Sequence, residues 1–286
     1  ERPGPGEYLM VDDIDYSAAD GLIYVHDRLN QVMRSYDLTG KAVAEMKREM
    51  FLESFCKTDA GCWVYTPYKS ESDEAPVSVL QFFDPDFMKS EAEYLPQQNI
   101  FSTTFIPRFT RDEAEYIYFV YPYSNGIYLL DGQDVYGKYL VDFKCNILPY
   151  DKIRTEMHKE AYDALFSVGD YCSDIRDLVV CDSVIYFSFS GNSAYGPVRY
   201  RAEYNIRTQE AHTYLSSRNF ESDSTQQYSF KALGLSSPVA SLNGRLIYVV
   251  SPALLSNEDF EMLQQKLWPT LTREANPLLI YCSRKS

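Results

Sequence analysis

The sequence predicts an all-β fold, a β-propeller of four-stranded antiparallel blades with short helical insertions. The first observation is an apolar cluster that returns at Ile23-Tyr24-Val25, Ile117-Tyr118-Phe119, Ile185-Tyr186-Phe187 and Ile247-Tyr248-Val249, with Cys62-Trp63-Val64 as a weaker copy. The second is its setting: a turn, a β-branched and aromatic strand, a polar turn and a further strand, repeating about every 45 residues, which is a propeller period. The third is composition. The chain has 286 residues, 45% hydrophobic and 15% aromatic, with 25 tyrosines. Rings of this kind suit pleated, half-buried surfaces.

Each element follows from local pattern. Val11 to Tyr16 alternates and reads as a strand with one buried face. Ala19-Asp20-Gly21 turns the chain into the strand Leu22–His26, and Asp27–Asn30 turns it again into Gln31–Tyr36. Asp37-Leu38-Thr39-Gly40-Lys41 is a hairpin with Gly where positive φ is needed, and Ala42–Met46 completes four strands. The same order recurs in approximate units 8–50, 51–95, 97–143, 168–215 and 228–282 of a single domain, 1–286. A helix is expected near 151–166, where Ile153, Met157, Ala161 and Leu165 fall close to helical spacing. A second is expected near 257–268: Ser256-Asn257-Glu258-Asp259 caps it, and Phe260, Leu263 and Leu267 share a face. Asn276-Pro277 ends that excursion before the apolar strand Leu278–Cys282.

Composition also excludes partners. The formal net charge is -14 and the pI about 4.7, so phosphate backbones, heparin-type polyanions and anionic lipid surfaces are repelled. No apolar run approaches the roughly 20 residues of a transmembrane helix. The chain opens at Glu1-Arg2 with no signal peptide pattern. The partners left open are a cationic ligand, a neutral glycan or a protein; nucleic acid and direct membrane insertion by this segment are not expected.

The resemblance is carried by several short motifs in order. Arg2-Pro3-Gly4-Pro5-Gly6-Glu7-Tyr8 resembles the R-G-x-G-P-G-E-Y loop of the six-bladed β-propeller proteins common in Bacteroidetes. Ile23-Tyr24-Val25-His26-Asp27-Arg28 and Tyr36-Asp37-Leu38-Thr39-Gly40-Lys41 are similar to that family's I-Y-I-x-D-R and F-D-x-x-G-K. Tyr121 to Tyr128 resembles its Y-x-x-x-N-x-I-Y stretch, and Asn276-Pro277-Leu278-Leu279 its closing N-P-x-L strand. Two departures stand out: Pro3 replaces the usual Gly, and a blade normally precedes this loop. The resemblance thus implies a six-bladed relative whose first blade is missing from this chain, or closure with five. It further implies an exported protein, periplasmic or on the cell surface, lipid-anchored through a missing N-terminus. It implies no defined reaction.

Candidate chemistry is sparse. Asp12, Asp13, Asp15 and Asp20 offer oxygen ligands that suit calcium but lack EF-hand spacing; solvated strand and turn carboxylates are the competing reading, and no metal is assigned. His26, His158 and His212 are scattered, without zinc spacing. No G-x-S-x-G is present. The six cysteines form no C-x-x-C; Cys56 with Cys62, or Cys172 with Cys181, could meet across a hairpin. Arg2, Glu7 and Tyr8 sit in a Gly/Pro-rich loop, where function often concentrates, against the alternative that Gly4 and Gly6 simply allow a tight inter-blade bend. Trp63, Tyr65, Tyr68, Tyr121 and Tyr123 lie near turns and could stack on sugars, against core packing as the alternative. Arg108, between Phe105 and Phe109, could supply a cation. The candidate binding set is therefore Arg2, Glu7, Tyr8, Trp63, Arg108, Tyr121 and Tyr123. The expected function is a cell-envelope binding or scaffold protein, its glycan or protein ligand held on a propeller face or channel mouth, without cofactor. The alternative is a polysaccharide-acting hydrolase or lyase on the same scaffold.

Overall fold

The structure, a computed structural model, describes residues 10–47, 52–66, 78–96, 109–121, 124–143, 146–147, 171–193, 196–215, 238–266 and 268–283. The fold is the all-β, five-bladed propeller class, with five sheets, one helix and a 3-10 turn among the described residues. Sheet 1 holds β1 (Val11–Ser17), β2 (Leu22–Asp27), β3 (Val32–Tyr36) and β4 (Ala42–Lys47) in sequence order. Sheet 2 repeats this with β5 (Ser54–Lys57), β6 (Cys62–Tyr65), β7 (Ser78–Phe83) and β8 (Ser90–Pro96). Sheet 3 does so with β9 (Phe109–Arg111), β10 (Ile117–Val120), β11 (Gly126–Asp131) and β12 (Asp134–Leu140). Sheet 4 has β14 (Tyr171–Cys181), β15 (Val184–Ser193), β16 (Gly196–Asn205) and β17 (Ala211–Leu215), plus the two-residue β13 (Asn146–Ile147) added parallel to β14. Sheet 5 shows β18 (Ala240–Leu242), β19 (Arg245–Val250) and β20 (Leu278–Ser283) among the described residues.

The returning cluster is the second strand of each sheet. Ile117–Val120 is buried throughout, as is Cys62–Tyr65. A strand buried on both faces must be apolar at every position rather than at alternate ones, which is why the clusters read as unbroken runs. The turns follow their chemistry. Gly40 sits at φ +85, and Asp37 Oδ1 accepts from the backbone N–H of Thr39 and Lys41.

Packing groups the sheets into two compact units. The first contains sheets 1 and 2 and most of sheet 3; the second contains sheets 4 and 5 and also takes Thr110–Glu115. In the first unit, Tyr24 and Met33 of sheet 1 pack with Phe55, Val64 and Phe87 of sheet 2. The opposite face of sheet 2, with Trp63, Leu80 and Phe82, packs with Phe119, Tyr121 and Tyr128 of sheet 3. In the second unit, Val179 and Cys181 pack with Leu246, Tyr248 and Val250, and the apolar face of the helix closes over them through Leu263.

That helix, α1, spans Asn257–Lys266. Ser256 caps it: its Oγ accepts from the Asp259 N–H at 3.1 Å and donates to Asp259 Oδ2 at 2.7 Å. Glu258 and Asp259 in the first turn and Lys266 in the last complement the helix dipole. The helix expected near 151–166 lies outside the described residues.

Neither expected cysteine pairing forms. Cys56 and Cys62 are not disulfide-bonded, because Cys56 faces Trp63 across the β5–β6 ladder while Cys62 faces Lys57. Their side chains therefore point to opposite faces, one into each core. Cys172 is disulfide-bonded and Cys181 is not. These two lie at opposite ends of the single strand β14, not across a hairpin.

Candidate functional site

Charge is gathered in two places, one in each unit. In sheet 1 the four aspartates that suggested calcium point to different partners. Asp13 Oδ2 accepts from Ser54 Oγ at 2.7 Å and from the Phe55 N–H at 3.0 Å. Asp15 Oδ2 accepts from the Lys57 N–H at 2.6 Å. Asp20 accepts from Tyr24 Oη at 2.5 Å and from the Leu22 N–H. Asp12 instead lies beside Arg28 Nε (3.4 Å) and His26 Nδ1 (3.7 Å). Among the described residues no three His, Cys, Asp or Glu side chains converge as metal ligands. The Asp13 and Asp15 bonds have a structural job: β5 has β6 on one side only, and these carboxylates take up N–H groups of its other edge.

Burial controls the titration here. Desolvation raises Asp13 to about 6, against the opposing hydrogen bonds from Ser54, Phe55 and Ile14. Desolvation likewise raises Asp12, opposed by Arg28. His26 is wholly buried, and desolvation lowers it to about 4. It is therefore neutral at ordinary pH, and neither ring nitrogen has a hydrogen-bond partner among the described residues. A histidine closed off in this way cannot touch a substrate.

The second polar region lies in sheet 4. Here β14 carries two register shifts, between Ser173 and Arg176 and between Arg176 and Val179. Each adds one residue, so positions three apart on β14 oppose positions two apart on β15. Ser173 faces Ser190 and Arg176 faces Ser188. The next ladder continues both rows, Ser190 to Arg199 and Ser188 to Arg201. Paired residues share a face, so three serines and three arginines stand together. Asp174 and Asp177 within the shifted stretch take left-handed backbone at φ 64 and φ 52. Non-glycine residues held so are strained by about 1–3 kcal/mol each, and such strain gathers at functional sites.

The rows are wired by hydrogen bonds. Arg199 Nη1 donates to Ser188 Oγ at 3.0 Å, and Ser188 Oγ donates to Asp177 Oδ2 at 2.6 Å. Arg176 pairs with Asp174. Arg201 is pulled down by desolvation, eased by nearby Tyr248 and Asp177, while burial pushes Tyr248 up to about 12. Ser188 and Ser173 are buried; Arg176, Ser190, Arg199 and Arg201 are half-buried. Among the described residues, Ser173 Oγ and Arg176 Nε have no hydrogen-bond partner.

Of the residues singled out from sequence, Trp63 is wholly buried, its ring 5.1 Å from Phe82 and 5.6 Å from Tyr94. Tyr121 is buried in the same core, as is Tyr65. Arg2, Glu7, Tyr8, Tyr68, Arg108 and Tyr123 lie outside the described residues. Sequence reasoning did not single out the sheet 4 rows. The available signal was the alternation Ser188-Phe189-Ser190 and Arg199-Tyr200-Arg201, which reads as an ordinary solvated face until the burial of Ser188 is seen.

Comparison with known proteins agrees with this architecture. A family model described as "Domain of unknown function (DUF4934)" matches residues 3–283. Among solved structures, a Bacteroides fragilis protein described as a "putative exported protein" superposes with a TM-score of 0.75 at 12% identity, over 98% of this chain and 79% of that one. At that identity the likeness is one of fold. BamB from Moraxella catarrhalis aligns with a TM-score of 0.44 at 10% identity, over 85% of this chain and 72% of that one. Hydrazine synthase of Kuenenia stuttgartiensis aligns with a TM-score of 0.44 at 9% identity, over 93% of this chain and 69% of that one. No curated protein sequence matches.

Proposed function

The chain belongs to the family of the domain of unknown function DUF4934, and from that premise we propose that it is a cell-envelope binding or scaffold protein. It acts in the periplasm or on the cell surface and holds a glycan or protein ligand on a propeller face. The observation that carries this reading is the sheet 4 face, where donors stand preset on rigid strands with more hydrogen-bonding capacity than the described residues use. Catalysis asks instead for titratable groups that reach a substrate. The perturbed groups of sheet 1 do not suit that role, since Asp13 is engaged by Ser54 and the β5 backbone and His26 is sealed from solvent.

Two observations favour an extracytoplasmic site. The Bacteroides fragilis protein of the same fold is described as exported. The disulfide at Cys172 suits an oxidising compartment. No helix among the described residues is long and apolar enough to cross a membrane. A six-bladed parent fold and a lipid anchor, implied by the motif resemblance, belong to the same proposal.

The test is a thermal-shift panel of envelope and plant oligosaccharides, followed by product analysis of each binder. A ligand at a hundred times its Kd should add about 2.7 kcal/mol of stability. A stabilising glycan recovered intact supports a binding protein. New reducing ends or unsaturated products would replace it with the hydrolase or lyase reading.

A further inference from the structure

We propose that the Asn243-Gly244 turn of sheet 5 is a site of spontaneous deamidation, and that the Glu113 carboxylate holds it in check. The chain has two Asn-Gly dipeptides, Asn125-Gly126 and Asn243-Gly244. A following glycine leaves the backbone nitrogen unshielded and the chain free to rotate, so both dipeptides have the composition that favours this chemistry. The fold treats them differently.

The reaction is intramolecular and consumes only water. The glycine nitrogen attacks the asparagine Cγ. A C–N bond forms there, the Cγ–Nδ2 bond breaks, and the glycine proton leaves with the side-chain nitrogen as ammonia. Water then opens the cyclic imide. Opening at Cγ gives aspartate; opening at the backbone carbonyl carbon gives isoaspartate, whose main chain is one carbon longer. Before any of this, the glycine nitrogen must give up its hydrogen-bond acceptor and swing toward Cγ.

At Asn125 both reactants are fixed. Gly126 is buried at the start of β11, opposite Leu140, and its N–H donates to Ser124 Oγ at 2.9 Å. Asn125 Nδ2 donates to the Val141 carbonyl at 3.2 Å, and the Asn125 carbonyl accepts from the Val141 N–H at 2.8 Å. Bringing nitrogen and Cγ together there means opening the end of the sheet 3 ladder. Asn243 and Gly244 instead form the two-residue tip of the β18–β19 hairpin, inside the pair Leu242 and Arg245. They take φ 51 and φ 67, the left-handed pair that suits Asn-Gly in a tight hairpin. Asn243 is exposed. The Gly244 N–H donates to Glu113 Oε1 at 2.7 Å, an exposed contact.

That contact is the brake. A carboxylate acceptor makes a charge-assisted bond that pins the nitrogen. Its charge also disfavours loss of the nitrogen's proton, as does that of Asp182, whose Oδ2 lies 2.7 Å from where a Gly244 Cβ would stand. One exposed contact is nevertheless a low barrier, since hairpin tips open locally at little cost. The product matters to the fold. It places a third carboxylate beside Glu113 and Asp182, and isoaspartate lengthens a turn whose two-residue length sets the β18–β19 register. The same hairpin is tied to sheet 4 through Ser241 Oγ, which donates to the Val180 carbonyl at 2.6 Å.

The test is incubation of the native protein at mildly alkaline pH in heavy-oxygen water, with conversion at each asparagine followed by peptide mass spectrometry. Label should enter at Asn243 well ahead of Asn125. In urea the two should convert at similar rates. Glu113→Ala should speed conversion at Asn243 roughly 2- to 10-fold, the worth of one hydrogen bond, and leave Asn125 unchanged. Glu113→Gln, which keeps an acceptor without the charge, should fall between. The converted fraction should melt at a lower temperature than the intact protein. Native conversion at Asn125 as fast as at Asn243 overturns the site, as does a contrast that persists undiminished in urea. Unchanged or slower conversion in Glu113→Ala overturns the brake. Faster conversion at both asparagines in that variant, with a lowered melting temperature, assigns the effect to general loosening and overturns it too.

Discussion

Sheet 1 and sheet 4 both bury charge, and the partners differ. In sheet 1, Asp13 and Asp15 meet backbone N–H groups of β5, so the aspartates act as sheet-edge caps that tie one blade to the next. In sheet 4, Arg199 and Ser173 meet no backbone edge, and two strained aspartates hold the shifted strand that presents them. The lesson is that a buried polar residue is informative through what it leaves unspent. Satisfied carboxylates hold the fold, whereas a buried hydroxyl such as that of Ser173 leaves its hydrogen-bonding capacity unspent.

Substitutions can break this contrast. The largest effect should come from Asp13→Leu, which strands the Ser54 hydroxyl and the Phe55 N–H in a buried seam; a loss of about 4 kcal/mol is expected in urea unfolding. Asp13→Asn keeps an acceptor there and should lie within about 1 kcal/mol of wild type at neutral pH. A loss as large as that of Asp13→Leu would show that the charge itself is needed. Gly61→Ala should cost about 3 kcal/mol, because its Cβ would collide with the Phe83 carbonyl and the Phe82 ring, backbone and core that cannot retreat.

The pH dependence sharpens the comparison. Asp13 has a folded pKa of about 6, above its ordinary 3.8. Its contribution is therefore full below pH 3.8 and is lost as pH rises through 6, by about 3 kcal/mol. His26 runs the other way. Its folded pKa of about 4 lies below its ordinary 6.5, so its contribution is full above 6.5 and is lost as pH falls through 4, again by about 3 kcal/mol. The two oppose each other, and wild-type stability should be nearly flat between pH 4 and 6.5. In Asp13→Asn the His26 slope stands uncovered, reduced by whatever the raised Asp12 returns, and stability should fall on acidification. A flat Asp13→Asn profile would mean that His26 does not titrate in this range. The smallest expected effect belongs to sheet 4: Ser173→Ala should gain about 1 kcal/mol, where a loss would show its hydroxyl to be satisfied.

The strands were legible because their residues speak locally. Ile117-Tyr118-Phe119 is apolar at every position because both faces of β10 are covered, and Asp37 to Lys41 spells its own turn. Ser256 to Asp259 announced α1 for the same reason. The sheet 4 site was not legible, since it depends on two extra residues in β14 that change which side chains share a face. Nothing in Ser173-Asp174-Ile175-Arg176-Asp177 fixes where a register will slip; the partner strand decides. The cysteines failed similarly. Cys56 and Cys62 are close in sequence, yet strand alternation sends them into different cores. Trp63 drew notice for its chemistry, but its position in the second strand of its sheet places it in the core.

That burial of Trp63 has a spectroscopic consequence. The chain has two tryptophans, Trp63 in the first compact unit and Trp268, 52% exposed, in the second. One indole sits in a dry, aromatic surround and the other in water, so their emission maxima should be well separated in the native state. Replacing Trp268 with Phe would leave a fluorophore that reports on sheets 2 and 3 alone, and replacing Trp63 would leave one beside α1. The molecule thus carries its own pair of optical reporters, by which the melting of each unit can be followed in one cuvette without a label.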